Sequence, residues 1–146
     1  MPSLIAFILL TFFFWGTVDS SVASNVNSSQ CDEGCQRIQP LLRLATSNPT
    51  EARGRGVRET YELIYDLFRE GRQPNAVERR GVLDLVLRYE PLDPHGYVSS
   101  TFFQIYKDTQ VREKFQSEVA ALSEQERSQF HRIMTEALEI YQQDGN

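Results

Sequence analysis

Few residues in this chain combine a reactive type with a spacing that could do chemistry. The two histidines, His95 and His131, are candidate general bases for an adjacent nucleophile. However, no serine lies in the Gly-x-Ser-x-Gly sequence that presents a nucleophile at a sharp turn. Glu124 and Glu126 offer two carboxylates, but they stand where the start of a helix favours acidic residues. The sequence therefore predicts a protein that is not an enzyme.

Two further patterns imitate ligand sites. Gly54-Arg55-Gly56 resembles part of a phosphate-binding loop, but no strand pattern precedes it and no Lys-Ser/Thr follows. We expect a frayed helix start at these three residues. Cys31 and Cys35 would need additional ligands to hold zinc. The sequence therefore predicts neither a metal ion nor a cofactor.

Cys31 and Cys35 are also the only two cysteines in the chain. In an oxidising compartment two thiols normally pair, and a small structural disulfide is the favoured reading. Cysteines four residues apart on a regular helix do not easily reach disulfide geometry, so we expect Gly34 to allow a tight non-helical loop. Redox chemistry and a disulfide-linked dimer are the alternatives.

The amino-terminal residues indicate export. Residues 4–15 are almost entirely hydrophobic, and small residues follow them. A stretch of this length and order is typical of a secretory signal peptide and too short to span a bilayer. Cleavage after Ser20, Ala23 or Ser24 would satisfy the peptidase, and we take 1–24 as the signal peptide. An uncleaved membrane anchor is the alternative.

A polar leader, residues 25–36, is expected between the signal peptide and the folded domain. It contains Asn27-Ser28-Ser29, an acceptor sequence for N-linked glycosylation, and the cysteine pair. Together with the signal peptide, this leader predicts a secreted, extracellular glycoprotein with a disulfide.

Charge excludes two classes of partner. The chain has a formal net charge of −5, and residues 91–146 hold nine acidic and five basic residues. Nucleic-acid binding needs a basic surface, and attraction to anionic membranes needs one too. We therefore expect no nucleic-acid partner and no stable membrane insertion.

Residues 37–146 read as one all-α domain of five to six short amphipathic helices. Asn75 with Glu78, and Ser123 with Glu126, form capping-box sequences, and Asp108 is suited to restart a helix after a break. Pro91 to Gly96 is the clearest loop. Apolar residues at helical spacing are expected to form the core: Ile38, Leu41, Leu42, Ala45; Val57, Tyr61, Ile64, Tyr65, Phe68; Val82, Leu83, Leu85, Val86, Leu87, Tyr89; Val98, Phe102, Ile105, Tyr106; Phe130, Ile133, Met134, Ala137, Tyr141.

One segment, Arg112 to Met134, resembles a known family. Its order is a charged helix, a Leu-Ser turn and a Glu-containing helix with Phe and Ile at fixed offsets, carried here by Leu122, Ser123, Glu126, Phe130 and Ile133. This is similar to the repeated motif of the secreted nematode fatty acid- and retinol-binding proteins, and to the rhythm of the SXP/RAL-2 group of nematode antigens. The resemblance implies a small helical carrier with an internal apolar cavity.

The first hypothesis for function is therefore a secreted carrier of a hydrophobic small molecule, such as a fatty acid or retinoid. Burial of an acyl chain would supply most of the affinity, and an Arg or Lys would hold the carboxylate. Arg127 is a further cation near this segment. The expected ligand-binding residues are Phe102, Phe103, Phe115, Phe130, Ile133, Met134, Lys114 and Arg132.

The second hypothesis is a secreted protein-interaction module, an effector or antigen with a solid core and no ligand. Its partner would be another protein. Tyr61, Tyr65, Arg69 and Arg72 are the expected contact residues, because interface hot spots favour Tyr and Arg.

Overall fold

The structure, a computed structural model, describes residues 33–145. The predicted signal peptide, the glycosylation acceptor Asn27 and Cys31 lie outside the described residues. All three therefore stay predictions of the sequence.

The described residues are helical and contain no strand, which confirms the all-α prediction. They form six helical runs, three of which consist of more than one element. The elements in chain order are α1 (Glu33–Ser47), α2 (Pro49–Glu51), a π-helical turn (Ala52–Gly56), α3 (Val57–Phe68), α4 (Ala76–Tyr89), a 3-10 turn (Glu90–Leu92), α5 (Tyr97–Tyr106), α6 (Thr109–Lys114), α7 (Gln116–Ala120) and α8 (Glu124–Asp144).

The predicted helix starts are confirmed by their capping hydrogen bonds. At α4 the backbone N–H of Glu78 donates to Asn75 Oδ1 at 2.9 Å. At α8 the N–H of Glu126 donates to Ser123 Oγ at 3.1 Å, and both capping boxes are complete. Asp108 restarts the chain as α6, where its Oδ1 accepts from the N–H of Gln110 at 2.8 Å. Local hydrogen bonding at these caps thus sets where the helices begin.

The predicted central helix, α4, is the centre of the core. It packs against α1, α3, α5, α7 and α8. Its apolar residues are buried around most of its circumference, as the sequence predicts. Because five other helices pack against α4, this helix fixes the positions of the helices that precede it and of those that follow it.

The loop expected at Gly34 is wrong, because α1 already begins at Glu33 and includes both Gly34 and Cys35. The last residues of the predicted leader are therefore part of the first helix. Gly34 allows close packing rather than a turn, since a Cβ there would overlap Glu78 Oε2. Cys35 is buried in the same helix. Its pairing with Cys31 stays a prediction.

The frayed start expected at Gly54-Arg55-Gly56 is also wrong. These residues form the π-helical turn between α2 and α3, in an unbroken helical run that starts at Pro49 with Asn48 as its cap. Gly56 is buried where a Cβ would lie 2.8 Å from the hydroxyl oxygen of Tyr89. The absence of a side chain at Gly56 therefore lets Tyr89 of α4 approach the backbone of the π-helical turn closely.

Candidate functional site

Three of the predicted ligand-binding aromatics lie together in the core, where Phe102 contacts the other two. Phe102 lies edge-on to Phe115 and to Phe130, with ring centroids 5.4 and 6.0 Å apart. Tyr106 adds edge contacts to Phe115 and Phe130, and Phe68 stacks on Phe115 at 5.7 Å. All three phenylalanines are buried. At these separations the rings pack directly against their neighbours, as aromatic side chains do in a close-packed core.

The remaining predicted apolar residues lie at the edge of this cluster. Phe103 points away from Phe102, towards Tyr141, with ring centroids 5.9 Å apart. Both adjacent phenylalanines are buried because α5 packs between α3 and α8. Ile133 is buried on α8, and Met134 is half-buried against the core.

The predicted cations do not face a common apolar cavity. Arg132 Nη1 lies 2.9 Å from Glu90 Oε1 and 3.3 Å from Glu136 Oε1. These hydrogen bonds raise the pKa of Arg132, and the bond to Glu90 has a larger effect than the bond to Glu136. Arg127 Nη2 donates to the carbonyl oxygens of Ala120 and Leu122 at 3.0 Å each, and Lys114 is exposed. Arg127 and Arg132 are thus already engaged.

A groove of about 570 Å³ lies between the 90–104 segment and α8, and we call it the acidic groove. Its apolar floor includes two predicted ligand residues, Phe103 and Ile133. Phe102, Phe115 and Phe130 do not line it. Its lining consists of Glu90, Asp93, Pro94, His95, Gly96, Ser99, Ser100, Phe103, Gln104, Ile133, Glu136, Ala137, Ile140, Tyr141 and Asp144.

Hydrogen bonds hold the loop side of the acidic groove in place. Glu90 is tied to α8 by Arg132 and by Gln129 Nε2, which donates to Glu90 Oε2 at 3.3 Å. Asp93 is buried, and its Oδ2 accepts from the N–H of Val98 at 2.8 Å in the first turn of α5. The loop carboxylates are therefore fixed by helix contacts and do not depend on a ligand.

Acidic side chains dominate the electrostatics of the acidic groove. Glu90, Asp93, Glu136 and Asp144 line it, whereas no Lys or Arg does. The neighbouring cations are Arg132, which is shared by two of these carboxylates, and Lys107. Lys107 Nζ lies 4.5 Å from the ring centroid of Tyr141. The groove therefore favours a cationic occupant.

The sequence analysis missed the acidic groove. A signal was nevertheless present, because Glu136, Ile140 and Asp144 recur at four-residue intervals on α8. The carboxylates at Glu90 and Asp93 could not be added to that row from the sequence, since their placement depends on how the loop folds back against α8.

The four residues predicted for protein contacts line two neighbouring grooves. Tyr61 and Tyr65 line one of about 430 Å³, and Arg69 and Arg72 line another of about 310 Å³. Asp66 lines both.

Tyr97 of α5 extends this surface. Its ring lies 5.9 Å from that of Tyr61, and 55% of the residue is exposed. Tyr65 is 60% exposed. We call the set Tyr61, Tyr65, Tyr97, Arg69 and Arg72 the Tyr/Arg face.

The histidines are placed apart. The ring of His95 lies 5.5 Å from that of Tyr97, whereas His131 lies beside Phe130 on α8.

Within residues 33–145, no three His, Cys, Asp or Glu residues are grouped so that they could hold a metal ion. Over the same part of the chain, no helix has both the length and the apolar content that crossing a membrane requires.

Compared with protein-family models, with curated proteins and with solved structures, the chain matches none.

Proposed function

We propose that the protein is an exported, non-enzymatic module that binds a partner protein through the Tyr/Arg face. The observation that carries the proposal is the contiguous exposure of tyrosines beside arginines. Tyr65 and Tyr97 are both more than half exposed, and Arg69 and Arg72 line the adjoining groove. Tyr and Arg supply large contact areas and directional hydrogen bonds, so they are enriched among residues that dominate binding energies.

The packing of the core supports this function over an internal cavity. Phe102 contacts both Phe115 and Phe130 directly, and the acidic groove is lined by other residues. An acyl chain could occupy their position only by separating these rings, which would forfeit the aromatic contacts.

A site-specific crosslink tests the proposal. A photoreactive phenylalanine analogue replaces Tyr65 in the full chain, and a matched chain carries it at exposed Glu113 on α6. Both are presented to the extracellular fluid and cell surfaces of the producing tissue.

We expect one protein adduct at position 65 that is absent at position 113. The adduct should disappear when Arg69→Ala and Arg72→Ala are added. Identical adducts from both positions, or none from position 65, would contradict the proposal.

A carrier of hydrophobic small molecules is the second candidate, because Phe103 and Ile133 of the predicted set line the acidic groove. The surrounding carboxylates would oppose a fatty-acid carboxylate and would favour a neutral or cationic ligand. Native mass spectrometry of the secreted protein separates the two functions. A bare polypeptide mass, with any glycan, supports the interaction module, whereas an extractable adduct supports the carrier.

Export is the part of the proposal that rests on residues 4–15. Eukaryotic cells should release the full chain into the medium with its amino terminus near residue 25, and should retain a chain that lacks residues 2–24. An Asn27→Gln chain should lose any glycan mass. Retention of the full chain in the membrane fraction would support the uncleaved anchor instead.

A further inference from the structure

The apolar stripe of α8 continues beyond the part that the domain covers. Phe130, Ile133 and Ala137 are buried, whereas the next two apolar residues in register are not. Ile140 is 59% exposed and Tyr141 is 46% exposed, and both line the acidic groove. Residues at these three- and four-residue intervals lie on one face of a helix. The last turns of α8 thus present an apolar face to the groove without a covering helix.

We propose that the acidic groove binds a basic amphipathic helix of a partner protein. The lining residues of α8 run from Ile133 to Asp144, which corresponds to about 16 Å along the helix axis. This length accommodates about three turns of a second helix. Apolar side chains of such a helix would cover Ile140 and Tyr141, and flanking Lys or Arg residues would meet Glu136 and Asp144.

Charge selects this occupant over segments of the chain itself. Residues 1–32 contain Asp19 and Asp32 but no Lys or Arg. An α-amino group would be their one cation, and a single cation cannot meet both Glu136 and Asp144. A second copy placed face to face would bring the same carboxylates together, and like charges oppose such contact. A basic partner segment is the remaining occupant that satisfies both the apolar floor and the acidic edges.

This inference goes beyond the proposed function, because it concerns a different surface. The Tyr/Arg face is formed by α3, the residues that follow it and Tyr97, whereas the acidic groove lies along α8. Either surface can therefore fail its test while the other passes.

Two fluorescent peptides provide the probe. Both are about four helical turns long and carry leucine at every third or fourth position. One has lysine at the remaining positions and the other has glutamate. Fluorescence anisotropy is measured with the full mature chain at low and at physiological salt. We expect saturable binding of the Leu/Lys peptide that weakens with salt, and no binding of the Leu/Glu peptide.

Matched variants locate the binding surface. Ile140→Ser should weaken the Leu/Lys peptide about tenfold, the effect of losing about 1.4 kcal/mol. Leu138→Ser, which alters an exposed residue of the same helix outside the groove, should leave binding unchanged. Glu136→Lys with Asp144→Lys should abolish binding, whereas Glu139→Lys with Glu113→Lys makes the same charge change elsewhere and should retain it.

Three results would overturn the inference. Equal binding of the two peptides would mean that charge plays no part. Equal effects of Ile140→Ser and Leu138→Ser, with helicity preserved, would mean that the apolar floor is not the contact. Equal effects of the two double charge changes would mean that any acidic surface suffices.

Discussion

The hydroxyl group of Tyr89 donates a hydrogen bond to the carbonyl oxygen of Leu41 at 2.7 Å. This contact joins the end of α4 to the middle of α1, inside the core. Burial raises the pKa of Tyr89. The hydroxyl reaches Leu41 across the π-helical turn, where Gly56 has no side chain. The position of the Tyr89 ring therefore depends on the absence of a side chain at Gly56.

Gly56→Ala is expected to destabilise the domain by about 1 to 3 kcal/mol, as overpacking of a core does. Its Cβ would lie 2.8 Å from Tyr89 Oη and 3.1 Å from Tyr89 Cε1, so the ring would have to move. Urea unfolding monitored by circular dichroism measures the loss. Gly54→Ala is the matched control, because nothing lies within 4 Å of its Cβ position. It should stabilise the same turn by about 0.5 to 1 kcal/mol.

Tyr89→Phe provides the second half of this experiment. Loss of the hydrogen bond to Leu41 should cost about 1 kcal/mol. Because the phenylalanine also removes the oxygen nearest to the new methyl group, Gly56→Ala should cost less in the Tyr89→Phe background. The two changes should therefore be non-additive. Additive losses would contradict the coupling between Gly56 and the hydroxyl group.

Arg79→Ala is expected to cost about 3 kcal/mol, the lower end for breaking a buried ion pair. Arg79 Nε and Nη2 donate to Glu118 Oε1 at 3.1 and 2.9 Å, and Nη1 donates to the carbonyl oxygen of Pro74. Without Arg79 the buried carboxylate of Glu118 loses both charge-assisted bonds. Chemical denaturation of the variant measures the change.

Arg55→Ala is the control for this ion pair. Arg55 bonds to Glu51 and Glu59 on the surface, where water screens the interaction, and its removal should cost much less than that of Arg79. Similar losses at Arg55 and Arg79 would show that burial does not set the strength of these pairs.

Local signals in the sequence predicted the helix starts well. The sequence did not predict where segments distant along the chain approach each other closely. Asn75 and Ser123 cap their helices through residues three positions away, so the relevant partners are visible in the sequence. Gly34 and Gly56 were misread because their neighbours, Glu78 and Tyr89, are more than 30 residues distant. A glycine required by packing is indistinguishable in sequence from one that breaks a helix.

The candidate surfaces also were predicted only where the residues that form them lie close together in the sequence. Tyr61 and Tyr65 share a predicted surface because residues four apart on α3 lie on one side of it, and Arg69 follows directly after the end of this helix. The apolar spacing also predicted Tyr65 as a core residue, but the tyrosine is exposed because Leu63, Ile64 and Leu67 occupy the buried face.

Asp84→Asn and Glu126→Gln should have opposite effects on the pH dependence of stability. Both carboxylates bond to Arg80. Desolvation raises the pKa of Asp84 above its ordinary value of 3.8, whereas hydrogen bonds from Ser123 lower the pKa of Glu126 below 4.5. The charge on Asp84 therefore disfavours the folded state as pH rises through its folded pKa, while Glu126 favours folding above 4.5 and loses this contribution on acidification.

Urea unfolding from pH 3 to pH 7 checks both signs, these two values bounding the region in which carboxylates titrate. The difference between wild type and Asp84→Asn should shift in favour of the variant as pH rises. Relative to wild type, Glu126→Gln should become less stable over the same range. Parallel pH profiles for the two variants would contradict the opposite environments assigned to these carboxylates.

Phe115→Ala should be more destabilising than Phe103→Ala, although both phenylalanines are buried. Phe115 is enclosed by Phe68, Phe102 and Tyr106, so its removal leaves a closed void and should cost about 3 to 5 kcal/mol. Phe103 lines the acidic groove, where water can enter the space left by the ring. Its loss should therefore lie below that range. Equal free energies of unfolding would indicate that the groove wall is packed as tightly as the core, and would weaken its assignment as an open binding surface.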